Sequence, residues 1–93
     1  MDKIYFLTDT LSMMSSNDYK ERFLAEYIQV SIRLNKLVTM LDQFEAGTLP
    51  FKPTCPIELL KKQMATMFSY KNLLVQRASC ENIELPSEKQ LKM

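Results

Sequence analysis

Phe23, Tyr27, Val30, Leu34, Leu37, Leu41 and Phe44 follow one another at spacings of 4, 3, 4, 3, 4 and 3. A repeat averaging 3.5 residues holds its members on one face of an α-helix, so this seam demands a partner surface along its whole length. SSND at residues 15–18 precedes it, with short oxygen-bearing side chains that accept hydrogen bonds from the free amides of a first turn. Asp18 and Glu21 also suit the positive end of the helix dipole. Gly47, the one glycine of the chain, can close the helix in a left-handed conformation, and Pro50 blocks its continuation. The pattern predicts a helix over residues 17–46, roughly 45 Å long.

A Pro-rich elbow over residues 47–56 follows, with Pro50, Pro53 and Pro56 three residues apart. That spacing suits a polyproline-like turn and also reads as a PxxP ligand, but a stiff connector capped by Leu49 and Phe51 is the simpler reading. Pro56 fits the first position of a second helix, because the amide proton that it lacks would be unpaired there. Over residues 56–82, Ile57, Leu60, Met64, Met67, Leu74 and Ala78 share a face that Phe68 and Val75 widen and Lys71 interrupts. Helices of nearly equal length joined by a short elbow fold back on each other. The expected fold class is all-α, a long antiparallel two-helix hairpin with a short N-terminal helix, assembled into a homo-oligomer. Residues 1–16 form the N-terminal segment, 17–83 the hairpin and 84–93 a polar tail expected to fray. In the N-terminal segment Ile4, Leu7, Leu11 and Met14 suit a short amphipathic helix, although KIYFLT also reads as a strand.

The oligomer is inferred from surplus apolar surface. Leu24, Ile28, Ile32 and Val38 lie off the seam, and left in water they would form a larger patch than soluble monomers tolerate. They must meet the N-terminal segment, another copy or a foreign partner. A second copy is the preferred choice, with Leu24, Ile28 and Ile32 as its interface.

Composition removes several functions. There is no histidine, hence no usual general base, no usual partner for a nucleophile and no commonest zinc ligand. Cys55 and Cys80 match no metal or redox spacing and read as free thiols. No phosphate loop or nucleophile elbow is present. The carboxylates sit at helical spacing from bases, Arg22 with Glu26 and Glu26 with Arg33, as solvated or register-setting pairs. The chain is therefore not expected to be an enzyme or to need a cofactor. Twelve Lys+Arg against 11 Asp+Glu leave a formal charge of +1, too little for a field that holds DNA or RNA. Apolar runs are far shorter than the roughly 20 residues of a membrane span, and the first residues lack a signal peptide's pattern. The chain reads as cytoplasmic, with Met13 and Met14 as alternative initiators.

Within LLKKQMATMFSYKNLLVQR, Gln63, Tyr70 and Arg77 form a polar file spaced by seven. An aromatic plane beside a guanidinium fork suits a stacked nucleobase with a phosphate next to it, and it equally suits a subunit interface. Both readings stay open on spacing alone.

DYKERFLAEYIQVSIRLNKLVTML, the elbow and ELLKKQMATMFSYKNLLVQRA together resemble small phage and prophage helical-hairpin proteins. The shared pattern falls on Tyr19, Arg22, Arg33, Leu34, Lys36 and Leu37 in the first helix. In the second it falls on Leu59, Leu60, Gln63, Met67, Tyr70, Leu74 and Arg77. It covers residues 18–83. In architecture these proteins are similar to the phage anti-CBASS and anti-Thoeris sponges, oligomers, often hexamers, that hold cyclic-nucleotide immune signals between subunits. The resemblance implies a counter-defence protein of the bacterial cytoplasm that sequesters a cyclic di- or trinucleotide without cleaving it. Tyr19, Arg22, Arg33, Lys36, Gln63, Tyr70, Lys71 and Arg77 are the candidate ligand residues, with Lys20 and Tyr27 as further phosphate and stacking groups. The alternatives are a protein-binding inhibitor of a host defence enzyme and a virion assembly accessory. The sponges' own second-helix pattern is not matched residue for residue.

Overall fold

The computed structural model describes residues 3–92. A 3-10 turn at Leu7–Asp9 runs into α1 (Thr10–Met14), followed by α2 (Tyr19–Ala46), α3 (Ile57–Glu81) and a second 3-10 turn at Glu88–Gln90. The described residues are helical apart from loops and one parallel bridge between Tyr5 and Leu91.

The predicted stop signals act as expected. The Asp18 carboxylate accepts from the Lys20 amide at 2.9 Å, capping α2. Gly47 closes α2 at φ 74°, with the Gly47 and Thr48 amides donating to Phe44 O and Gln43 O at 3.1 and 2.9 Å. These two bonds satisfy carbonyls left over at the helix end. Asn82 does the same for α3 at φ 56°, and the Ile83 amide donates to Ala78 O at 2.9 Å. No sequence cue flagged Asn82, although asparagine is among the few side chains that tolerate this backbone region.

α2 and α3 pack antiparallel, as cross-helix contacts between Tyr19 and Arg77, Glu26 and Tyr70, and Glu45 and Lys61 require. Phe23, Tyr27 and Val30 of the seam are buried with Leu74, Ala78 and Ile83, and Met67 and Leu85 pack at their edge. Leu34 and Leu41 are buried too, Leu37 is half-buried, and Phe44 at the elbow end is 38% exposed. The predicted apolar face of α3 holds at Leu74 and Ala78, but Phe68 is 59% and Val75 41% exposed. They flank that face by about one residue step, 100° around the helix, and α2 does not reach so far.

The off-seam face of α2 is closed from within the chain, which corrects the expected interface. Ile28 and Ile32 are fully buried with Leu91, under Tyr5, Leu7 and Met13, and half-buried Leu24 joins both clusters. The N-terminal segment and the tail therefore take the place assigned to a second copy, and Leu24, Ile28 and Ile32 are not free to form one. Burying each isoleucine contributes about 1.5–3 kcal/mol, enough to order two short terminal segments that have little helical length of their own.

Two further expectations shift with this packing. The tail is not frayed: Leu91 is buried, the Tyr5 amide donates to Gln90 O at 2.6 Å, and the Lys92 amide donates to Tyr5 O at 2.9 Å. In the N-terminal segment Ile4, Leu11 and Met14 are exposed, whereas Leu7, Thr10 and Met13 face α2. Leu7 lies on the 3-10 turn and Thr10 and Met13 on α1, where residues three apart share a face, so the segment turns a different side to α2 than the 4, 7, 11, 14 pattern expects.

Candidate functional site

Tyr19, Glu26 and Arg33 are spaced by seven along α2, and Gln63, Tyr70 and Arg77 are spaced by seven along α3. Because the helices run antiparallel, the two files meet as three rungs along one flank of the hairpin. At the first, Arg77 Nη2 donates to the Tyr19 hydroxyl, and at the second the Tyr70 hydroxyl donates to Glu26 Oε2. The third rung, Arg33 with Gln63, is open: the Gln63 amide points to Met67 Sδ at 3.8 Å. Arg33 is exposed and has no hydrogen-bond or ion-pair partner among the described residues.

Arg77 is held on several sides by the protein. Its guanidinium lies 4.9 Å from the centre of the Phe23 ring, and its Nε contacts Glu81 at 3.4 Å. Its pKa is raised: desolvation works against the charge, and Tyr19 and Glu81 together outweigh it. Arg22 is tied back as well, donating to Ser16 O at 2.7 Å with its guanidinium 5.9 Å from the Tyr19 ring centre. Neither of the expected i,i+4 or heptad pairs between Glu26 and an arginine forms. Glu26 turns to Tyr70 across the hairpin, where a phenol hydroxyl directed at a carboxylate makes a charge-assisted bond.

At the open rung Glu26, Gln29, Val30, Arg33, Gln63, Met67 and Tyr70 enclose a groove of about 280 Å³. Val30 and Met67 form an apolar floor, Tyr70 supplies an aromatic wall, and Gln63 and Glu26 offer hydrogen-bonding edges. Arg33 presents a planar fork of five N–H donors with no competing partner among the described residues. The groove is suited to an anionic group at Arg33 with a flat group against Tyr70. Glu26 is an acceptor for amino or hydroxyl groups and opposes an anion placed beside it, which sets the orientation.

Of the candidate residues, Arg33, Gln63 and Tyr70 are brought together at this groove, with Tyr19, Arg22 and Arg77 closing the same flank at the first rung. Lys71 is not part of it. Its ammonium lies on the opposite flank, 5.8 Å from the Tyr27 ring centre and paired with Glu88. Tyr27 is 6% exposed beneath it and offers no free stacking plane. Lys20 and Lys36 are exposed and do not line this groove. Gln29 and Glu26 are lining residues that sequence reasoning missed. The signal for Glu26 was the same seven-residue step from Tyr19 to Arg33, legible only once the antiparallel register is known. Among the described residues no three His, Cys, Asp or Glu side chains gather as a metal site, and no helix is long and apolar enough to cross a membrane.

No curated protein and no solved structure matches the chain. A family model described as Sequestin matches residues 17–80, which run from the cap of α2 through the elbow to the last turn of α3 and contain all three rungs. That span is more than half of the sequence, and on it the chain belongs to the Sequestin family.

Proposed function

We propose that this chain is a binding protein that sequesters a cyclic-nucleotide signal without chemical change, acting for a phage against host defence in the bacterial cytoplasm. The observation that carries the reading is the open rung. An arginine with all its donors unassigned stands beside an aromatic wall over an apolar floor, while the neighbouring cations are held by protein partners. A phosphate on Arg33 and a base against Tyr70 use each of these features, and Gln63 and Glu26 read the base or sugar edge. The family's name, Sequestin, agrees with capture in place of turnover. The polar groups that line the groove are suited to hold a ligand by charge, stacking and hydrogen bonds.

Assembly into a homo-oligomer stays part of the reading, with its contacts moved. Leu24, Ile28 and Ile32 are covered, so a second copy would dock on the apolar side chains that α3 leaves in water, Leu59, Phe68 and Leu73, which are 55–59% exposed. The same side chains are what a protein-binding inhibitor would use, and they are the observation that favours that second reading.

Native mass spectrometry of the full chain mixed with cyclic di- and trinucleotides tests the proposal. The expected result is a complex carrying the added nucleotide at its intact mass. A folded protein that retains none of them, or a nucleotide returned hydrolysed, contradicts it.

A further inference from the structure

Residues 3–14 and 86–92 hold no helix longer than the five residues of α1, yet they are bonded to each other. Tyr5 and Leu91 form the parallel bridge, and Gln90 beside it spans both ends of the chain. Its Nε2 donates to Lys3 O at 3.0 Å, its Oε1 accepts from the Ser87 amide at 2.9 Å, and its backbone oxygen accepts from the Tyr5 amide. Leu91 is buried with Ile28 and Ile32, and Tyr5, Leu7 and Met13 pack around them, so one apolar cluster on α2 is closed by both ends at once. Each end is also fixed to α2 at a place of its own. Glu88 accepts from Asn35 Nδ2 at 3.2 Å on the tail side. On the N-terminal side Gln29 Nε2 donates to Thr10 Oγ1 at 2.9 Å, and Thr10 is 1% exposed. Gln29 and Arg33, one turn apart, face residues 7–14 across a groove that no residue of the tail lines.

We propose that the two ends form a clasp that opens and closes as one unit, so that the tail holds the N-terminal wall beside Arg33 in place without touching it. The physical reason is shared closure. A five-residue helix and two three-residue turns are too short to order themselves in water, so their order depends on what they bury. What they bury is the same pair of isoleucines, and loss of either end returns to water part of the surface that holds the other. A link of this kind is reciprocal: whatever loosens the tail loosens Thr10, and whatever loosens Thr10 loosens the tail. Ile83 and Leu85 pack in the core shared by α2 and α3, so the moving part of the tail begins at Pro86 and the hairpin stays closed when the clasp opens. Opening uncovers Ile28 and Ile32 together and frees the wall that Thr10 anchors. Both ends lie outside residues 17–80, the span matched by the family model, and the device does not depend on what the groove holds.

Amide hydrogen exchange of the full chain, read residue by residue by NMR, tests the clasp. In the parent, the Tyr5 and Lys92 amides, which make the bridge, and the amides of α1 are expected to share one opening, with the same dependence on added urea, below the opening of the α2 core. Two full-length variants then loosen one end each. Gln90→Ala removes the side-chain bonds of the tail, and Thr10→Val removes the hydroxyl that Gln29 holds. Gln90→Ala is expected to quicken exchange in α1 by about fivefold or more, and Thr10→Val to quicken the Lys92 amide by a similar factor. Amides of residues 34–41 on α2 should change by less than about twofold in both. A parent whose two ends open with different urea dependences overturns the proposal. So does a pair of variants in which each change quickens only its own end, or in which the α2 core quickens as much as the clasp.

Discussion

Ser31 is fully buried on α2, and its hydroxyl has no hydrogen-bond partner among the described residues. A buried unpaired polar group costs about 1–3 kcal/mol in desolvation, so Ser31→Ala is expected to raise stability by about 1 kcal/mol in urea unfolding. A loss of stability would mean that the hydroxyl is satisfied in solution. Large apolar side chains behave less uniformly than their chemistry suggests. Ile32→Ala is expected to cost about 2–5 kcal/mol, because it empties a fully enclosed place between α2 and the terminal segments. Phe68→Ala, at a side chain 59% exposed, should stay within about 1 kcal/mol in the monomer. Equal costs for the two would contradict the packing. Both residues read alike in the sequence, as apolar positions beside a helical seam. What separates them is which neighbour reaches them, and that depends on two segments with weak signals of their own.

The elements themselves were largely written in the chain. Asp18, Gly47 and Pro56 mark helix ends by local chemistry that needs no tertiary context, and the long seam sets the hairpin. The terminal segments were not legible to the same degree. Their order comes from contacts between residues more than 80 positions apart, as when the Gln90 side chain donates to Lys3 O at 3.0 Å. Glu88 ties the tail to the hairpin through Lys71 and through Asn35 Nδ2 at 3.2 Å. Burial pushes its carboxyl up, but the hydrogen bonds from Lys71 and Asn35 and the Lys71 charge outweigh this and hold it below its ordinary value of 4.5. A carboxylate depressed in the folded state contributes stability above pH 4.5 and loses it as pH falls through its folded value. The Leu91 methyl resonances should therefore keep their packed positions at neutral pH and move toward free-chain values only once pH falls below the ordinary carboxylate value of 4.5, ahead of the α2 core signals. Because Glu88 is more than half exposed, Glu88→Gln is expected to flatten this response with little change in overall stability. A tail that releases at the same pH in the variant would place the switch elsewhere.

At the scale of the molecule, α2 is the organising element, covered on one face by α3 and on the opposite face by the two ends of the chain. Those coverings leave a flank between them, and Arg33 stands on it at the open rung. The polar file on α3 was visible from spacing alone, and its three residues do lie on one line. Its partner file on α2 was not, because Glu26 was equally well placed to pair with Arg22 or Arg33 along its own helix. The antiparallel register decides between them: two rungs close and one remains open. Lys71, one residue beyond Tyr70, turns to the other flank by the 100° step of a helix and so leaves the site. On the proposed reading, binding turns on Arg33, an exposed side chain whose loss the fold should not feel. Isothermal titration of the full chain and its Arg33→Ala variant with cyclic dinucleotides tests this most directly. The account predicts saturable heat for the parent and a loss of at least about tenfold in affinity for the variant, with unchanged thermal unfolding. Equal binding by both proteins, or no heat from a folded parent, would contradict it.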